Sequence, residues 1–353
     1  MSKLFKLENL LRDNIKSIVP YSSARDEYSG TEGVFLDANE NPLGSTVTPA
    51  HNRYPDPMQW KLKERIAVIK KVEKSMIFLG NGSDEPIDLL FRAFCRPGVD
   101  NAIILPPTYG MYQVAADIND VPTRKVNLTE DFQIDVEKVL AAIDKNTKLL
   151  FICSPNNPSG NALNGKAIRK LIESFEGIVV VDEAYIDFAP ATTLVPELAS
   201  YPNLVVLQTF SKAWGLAGLR VGMAFASEEI VRVLNKIKYP YNINGLAQSV
   251  ALEGLKGLLQ KEKMVEEILT ERERLKEELL KIPAVVKVYP SDANFLLVKM
   301  TDANAAYSYL VERKIITRNR SNVIMCESCL RITVGTEKEN SILLDELSKF
   351  TGL

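Results

Sequence analysis

The sequence predicts an α/β protein: a large doubly wound, mostly parallel sheet domain, a smaller α+β domain after it, and an N-terminal arm before it. Three observations carry that expectation. Short Ile- and Val-rich runs at 102–105, 149–153, 178–181, 204–207 and 221–225 are apolar throughout rather than alternating, as parallel strands buried on both faces are. Helical periodicity falls between most of them, and such alternation predicts a doubly wound sheet. The 353 residues also exceed what one core holds, since single cores stop growing near ~250–300 residues.

Residues 1–36 read as an arm, with a short amphipathic helix, then Pro20-Tyr-Ser-Ser-Ala-Arg25, then polar loop. The arm is too small for a core of its own and is expected to pack with the smaller domain. The large domain is expected over 37–245. It opens on Asp37-Ala-Asn-Glu-Asn-Pro-Leu-Gly44 and Arg53-Tyr-Pro-Asp-Pro57, both turn chemistry. A helical pattern runs from 59 to about 72. Phe78-Leu-Gly-Asn-Gly-Ser-Asp-Glu-Pro86 then opens a helix to about 95, with Ser83 placed as its N-cap and Pro86 where a missing N–H costs little. A Gly-rich turn feeding a helix N-terminus is an anion site by geometry. Further helical patterns lie near 109–117, 136–143, 165–174 and 228–237. Residues 246–281, rich in Leu, Lys and Glu and nearly free of breakers, predict a long interdomain helix. The smaller domain, 282–353, shows strands at 285–289, 294–299 and 330–334 with helices near 303–313 and 341–350.

A net charge of −2 with no long basic block points away from nucleic acid and anionic membranes. No stretch approaches the ~18 apolar residues of a membrane helix. The first residues mix Lys, Glu, Arg and Asp into their apolar positions, unlike a signal peptide, so a cytoplasmic protein is expected. Four cysteines fit reduced thiols. Cys326-Glu-Ser-Cys329 has CxxC spacing, but no second CxxC or His pair accompanies it. A structural metal needs about four ligands, so none is expected, and the pair reads as ordinary thiols. His51, the only histidine, sits in a polar loop and reads as a surface residue.

The chemistry gathers where the apolar runs end. After 149–153 comes Ser154-Pro-Asn-Asn-Pro-Ser-Gly160, after 178–181 comes Asp182-Glu-Ala-Tyr185, and after 204–207 comes Thr209-Phe-Ser-Lys-Ala-Trp-Gly-Leu-Ala-Gly-Leu-Arg-Val-Gly222. Ligands of such sheets collect at the carboxyl ends of strands. A lysine there is a candidate Schiff-base nucleophile, and the planar fork of Arg220 suits a phosphate.

The order Asn-Pro-Ser-Gly, Asp-x-x-Tyr, Ser-Lys, then Arg eight residues past the lysine resembles the fold-type I pyridoxal-phosphate enzymes of the aspartate aminotransferase superfamily, over nearly the whole chain. More narrowly, Asp37 to Gly44, Arg53-Tyr-Pro-Asp56, Gly80-Asn-Gly-Ser-Asp84, Val181-Asp-Glu-Ala-Tyr-Ile-Asp-Phe188 and Gly218-Leu-Arg-Val-Gly222 resemble histidinol-phosphate aminotransferases. The resemblance implies pyridoxal 5'-phosphate as cofactor, with Lys212 as its Schiff-base lysine and proton shuttle. It implies Asp182 as partner of the ring nitrogen, Tyr185 and Asn157 as donors to the phenolic oxygen, and Tyr109 as the stacking aromatic. Gly82, Ser83, Asp84, Thr209, Ser211 and Arg220 would hold the phosphate. Tyr54 would reach it from the other subunit of a homodimer.

On the substrate side, Arg331 resembles the arginine that binds the α-carboxylate, and Asn157 would bind substrate as well as the ring. Arg320 resembles the arginine for a distal anion, with Arg318 as a rival for that role. Tyr21 and Arg25 would cover the site from the arm. The implied substrates are histidinol phosphate, glutamate and 2-oxoglutarate, in histidine biosynthesis. An aromatic-amino-acid aminotransferase or a threonine-phosphate decarboxylase would share every cofactor residue. Ser159 and Met223 depart from the commoner residues of the pattern, and neither carries one of these roles.

Overall fold

The computed structural model describes residues 5–20, 33–190 and 192–351. The first helices are α1 (Asp13–Ser17) and α2 (Trp60–Lys70). The chain then alternates through β1 (Ile77–Asn81), α3 (Asp84–Phe94), β2 (Asn101–Ile104), α4 (Met111–Ile118), β3 (Thr123–Lys125), α5 (Val136–Ala142), β4 (Thr147–Cys153), α6 (Gly165–Ser174), β5 (Ile178–Asp182), β6 (Leu204–Thr209), β7 (Val221–Ala226) and α7 (Glu228–Ile237). The seven strands stand in the order β1-β7-β6-β5-β4-β2-β3.

Why the strand sequences do not alternate is visible in β5. Ile178 and Val180 face a core shared with Phe91 and Tyr112, while Val179 and Val181 face one shared with Ile168 and Leu171. Helices cover both faces, so both sets of side chains must be apolar. The first polar residue of the strand is its last, Asp182.

Four details differ from the sequence expectation. β7 runs antiparallel to both β1 and β6, although its composition matches the parallel strands. Burial on two faces sets composition, and it is the same for either direction. Ser83 stands at the N-cap of α3 without a side-chain cap bond. The expected long helix is two, α8 (Gly245–Gly254) and α9 (Leu258–Leu279). The break comes where Gly254 packs so closely on Leu216 that a Cβ would lie 2.9 Å from Leu216 Cδ1. Finally, the described part of the arm packs on the large sheet's helices and not on the C-terminal unit. Leu7 and Ile15 join the core of Phe91 and Phe94, and Lys236 Nζ donates to the Ile15 carbonyl at 2.8 Å.

The C-terminal unit contains β8 (Val285–Val288), β9 (Phe295–Met300), α10 (Ala303–Glu312), β10 (Arg318–Asn319), β11 (Cys329–Thr333) and α11 (Glu337–Ser348), its strands antiparallel in the order β10-β11-β9-β8. The end of α9 supplies Leu275 and Leu279 to its core. Nearer its start, Val265 packs with Tyr185, Phe188, Ala213 and Phe295, which joins the two units beside the functional residues.

Candidate active site

Parallel strands β4, β5 and β6 end side by side, and β1, separated from β6 by the antiparallel β7, ends at the same edge. A cleft of about 140 Å³ opens there. Gly82, Ser83, Asp84, Tyr109, Asn157, Asp182, Tyr185, Thr209, Ser211, Lys212 and Arg220 all line it. The residues picked from separate motifs therefore share one site.

One end is a cradle. Gly82 has φ +67, a conformation side chains rarely adopt, and its N–H donates to the Arg220 carbonyl at 2.7 Å. A Cβ on Gly222 would lie 2.4 Å from the Ser83 nitrogen, so only glycine permits this approach of β7 to the start of α3. The first-turn N–H groups of α3 are free of a side-chain cap. The Thr209 hydroxyl donates to Ser211 Oγ at 2.9 Å, and Arg220 Nη2 lies 3.3 Å from Asp84. Helix N–H groups, two hydroxyls and a guanidinium are the donor set of a phosphate ester, and the residues fit one.

The middle of the cleft suits a ring with a basic nitrogen. Asp182 is 3% exposed, and burial raises its carboxyl above the usual range. Its Oδ1 accepts the Ala184 N–H at 3.0 Å and its Oδ2 accepts the Tyr112 O–H at 2.7 Å. Tyr109 donates to Asp84 at 3.1 Å and flanks the cleft. Lys212 Nζ lies 5.5 Å from the Tyr185 ring centre. Solvent reaches Lys212 along the cleft, yet the surrounding protein strips enough hydration to lower its pKa, with the Arg331 charge acting in the same direction.

Arg331, Arg320 and Arg318 do not line this cleft; they form a cationic group beside it, past Asn157. Arg331 Nη1 donates to Asn157 Oδ1. Arg318 pairs directly across from Arg331 in the β10–β11 ladder. Arg320 follows, its Nε buried without a partner and its pKa lowered to about 10 by burial first and then by Arg331 and Arg318. Among the described residues none of the three meets a carboxylate. Like charges held together without counter-charge form a receptor for anions. Between the rivals, Arg320 is half-buried with a free buried donor, whereas Arg318 is exposed.

Tyr54 does not line its own chain's cleft. It stacks on Tyr241 (centroids 4.5 Å apart) beside a separate groove shared with His51, Asn244 and Leu246. Tyr21 and Arg25 lie outside the described residues. Cys326 and Cys329 are buried free thiols, raised by burial to about 12 and about 11. Sequence reasoning missed Cys153, which lines the cleft, and Tyr112, fully buried behind Asp182; the signal for Tyr112 was its helical spacing from Tyr109.

Residues 25–347 match the aminotransferase class I and II family. The chain is 59% identical over 346 residues to a histidinol-phosphate aminotransferase of Cytophaga hutchinsonii, covering 98% of this chain and 99% of that one. Among solved structures, the histidinol-phosphate aminotransferase of Clostridium acetobutylicum superposes with TM-score 0.78 at 28% identity, covering 85% of this chain and 90% of the other. The Sinorhizobium meliloti histidinol-phosphate aminotransferase in complex with pyridoxal 5'-phosphate shares the fold at TM-score 0.79 and 22% identity, covering 88% and 89%.

Proposed function

The chain belongs to the class I and II aminotransferases, a pyridoxal-phosphate-dependent family, and from that premise we infer that it carries out the histidinol-phosphate aminotransferase reaction. It moves an amino group from glutamate to imidazole-acetol phosphate, yielding histidinol phosphate and 2-oxoglutarate in histidine biosynthesis. The observation that carries the reading is the cluster of Arg331, Arg318 and Arg320, which meets no carboxylate among the described residues, with Arg331 bonded to Asn157 of the cleft and its charge acting on Lys212. Both substrates are anions, one with two carboxylates and one with a phosphate.

When bound, pyridoxal 5'-phosphate supplies an electron sink for negative charge at the substrate's Cα. The chain's residues do the rest. Gly82, Ser83, Asp84, Thr209, Ser211 and Arg220 hold the phosphate. Lys212 would hold the cofactor covalently, and once the incoming amine displaces it, its free amine, its pKa lowered by burial and Arg331, would take the proton from the substrate's Cα and deliver it to the cofactor carbon that had carried the lysine. Asp182 keeps a proton on the ring nitrogen. Asn157 accepts from Arg331 at Oδ1, which leaves its Nδ2 to donate, with Tyr185, to the ring's phenolic oxygen. Tyr109 stacks on the ring. Arg331 grips the α-carboxylate and Arg320 the distal anion. Tyr21 belongs to the same proposal as a cover for the substrate.

Homodimer assembly completes the reading, with Tyr54 serving the partner subunit's phosphate. Its support is the exposure of large apolar side chains in the segment that leads to Tyr54: Val34, Leu36 and Leu43 are 88, 87 and 94% exposed, and Tyr54 itself is half-exposed. A cytoplasmic location is proposed with it, supported by four free, buried cysteines.

The test is a pair of half-reactions followed by cofactor absorbance. Histidinol phosphate should convert the band, and 2-oxoglutarate should restore it. Carbon dioxide released from threonine phosphate would instead mark a decarboxylase, and a preference for phenylalanine or tyrosine an aromatic aminotransferase.

A further inference from the structure

We propose that Tyr112 is a positioning residue for this reaction: from behind Asp182 its phenol O–H donates to Asp182 Oδ2 at 2.7 Å and holds that carboxylate charged and oriented toward the cofactor's ring nitrogen. The inference rests on the reading of Asp182 as the ring nitrogen's partner.

Asp182 ends a fully buried strand, and a carboxylate removed from water needs donors to remain ionised. Among the described residues it has two, the Ala184 N–H on Oδ1 and the Tyr112 O–H on Oδ2. The first comes from its own loop and follows it; only Tyr112 ties the carboxylate to another element. Tyr112 is fully buried on α4 and held by rings on two sides. It stacks on Phe151 at 4.9 Å, which stacks on Phe91 at 5.3 Å, and it meets Tyr109 edge-on at 5.6 Å. The oxygen is therefore fixed by packing.

The other groups facing Asp182 are Asp84, Lys212, Cys153, Tyr109 and Tyr185. Burial and the Asp84 charge favour the protonated acid, while Tyr112, Ala184 and Lys212 favour the carboxylate. Burial and Asp182 itself keep the Tyr112 phenol protonated far above its ordinary range, so it is the donor throughout the working pH. A phenylalanine would pack the same rings and leave Oδ2 bare.

The experiment compares the wild type with Tyr112→Phe, Asp182→Asn and the double variant. The cofactor dissociation constant of the apoenzyme is measured by fluorescence quenching across pH, together with kcat and KM. Tyr112→Phe should weaken cofactor binding about tenfold, the value of one hydrogen bond to a charged group, with the loss beginning at higher pH than in the wild type. kcat should fall with little change in KM for glutamate. On the Asp182→Asn background the Tyr112 substitution should add nothing. Wild-type binding and pH dependence in Tyr112→Phe would overturn the proposal, as would an equal loss on the Asp182→Asn background. Wild-type behaviour of Asp182→Asn alone would instead remove the underlying reading of Asp182. If Tyr112→Phe does not fold, 3-fluorotyrosine at 112 preserves the packing with a more acidic phenol. It should shift the acidic limb to lower pH, and an unmoved limb would overturn the proposal.

Discussion

Arg331, on the smaller sheet, donates a hydrogen bond to the carboxamide oxygen of Asn157, on the loop that follows β4 of the larger one. One polar contact thus spans the cleft and aligns a substrate-side arginine with a ring-side amide. Lysine cannot reproduce this, because it lacks the planar fork that serves Asn157 and a carboxylate together. Arg331→Lys should lower kcat/KM for glutamate about 10- to 100-fold, the range for a lost charged hydrogen bond. Steady-state kinetics with varied glutamate decide it, and an unchanged value would remove Arg331 from carboxylate binding.

Arg318 and Arg320 are separated by their surroundings. Arg320 has a buried unpartnered Nε, while Arg318 is solvated. Arg320→Ala should raise KM for histidinol phosphate at least about tenfold, and Arg318→Ala less than about threefold, as screened surface charges contribute little. The reverse ranking would exchange their roles.

Gly222→Ala tests the cradle. Its methyl would lie 2.3 Å from the Gly82 carbonyl carbon, forcing the phosphate loop and β7 apart. The chain should fold with about 1–3 kcal/mol lost to overpacking. Cofactor affinity should drop far more than the melting temperature of the apoprotein. Wild-type cofactor affinity would show that the loop is not the phosphate site.

Lys212 carries a pH prediction. Burial and Arg331 both lower its pKa, so its neutral, nucleophilic form exists at lower pH than for a free lysine. The rate of cofactor capture by the apoenzyme should rise with pH and level off below the free lysine's value of about 10.4. Arg331→Ala removes the largest of the charges that lower it and should move that limb upward. Stopped-flow absorbance reads both, and Lys212→Ala should abolish the covalent band and turnover.

Much of the large sheet was legible because burial on both faces writes itself into composition: β2, β4, β5, β6 and β7 all coincide with apolar runs. β1 was not, because Gly80 and Asn81 in its second half read as turn residues. β3 has three residues, two of them exposed, and offers no pattern. The helix break after α8 is marked only by Gly254 and Gly257, at its two edges, and with no proline there the helical pattern reads through it.

By itself the sequence determined the fold class, the strand ends that carry chemistry, and the set Lys212, Asp182, Tyr185, Asn157 and Arg220, because these depend on residue types in local order. The tertiary structure alone decided the direction of β7, the packing of the arm on α3 and α7, the pairing of Arg318 with Arg331, and the bond from Tyr112 to Asp182. Each of these joins groups far apart along the chain. Such contacts depend on which surfaces remain to be buried after the elements form, and local composition does not encode that choice.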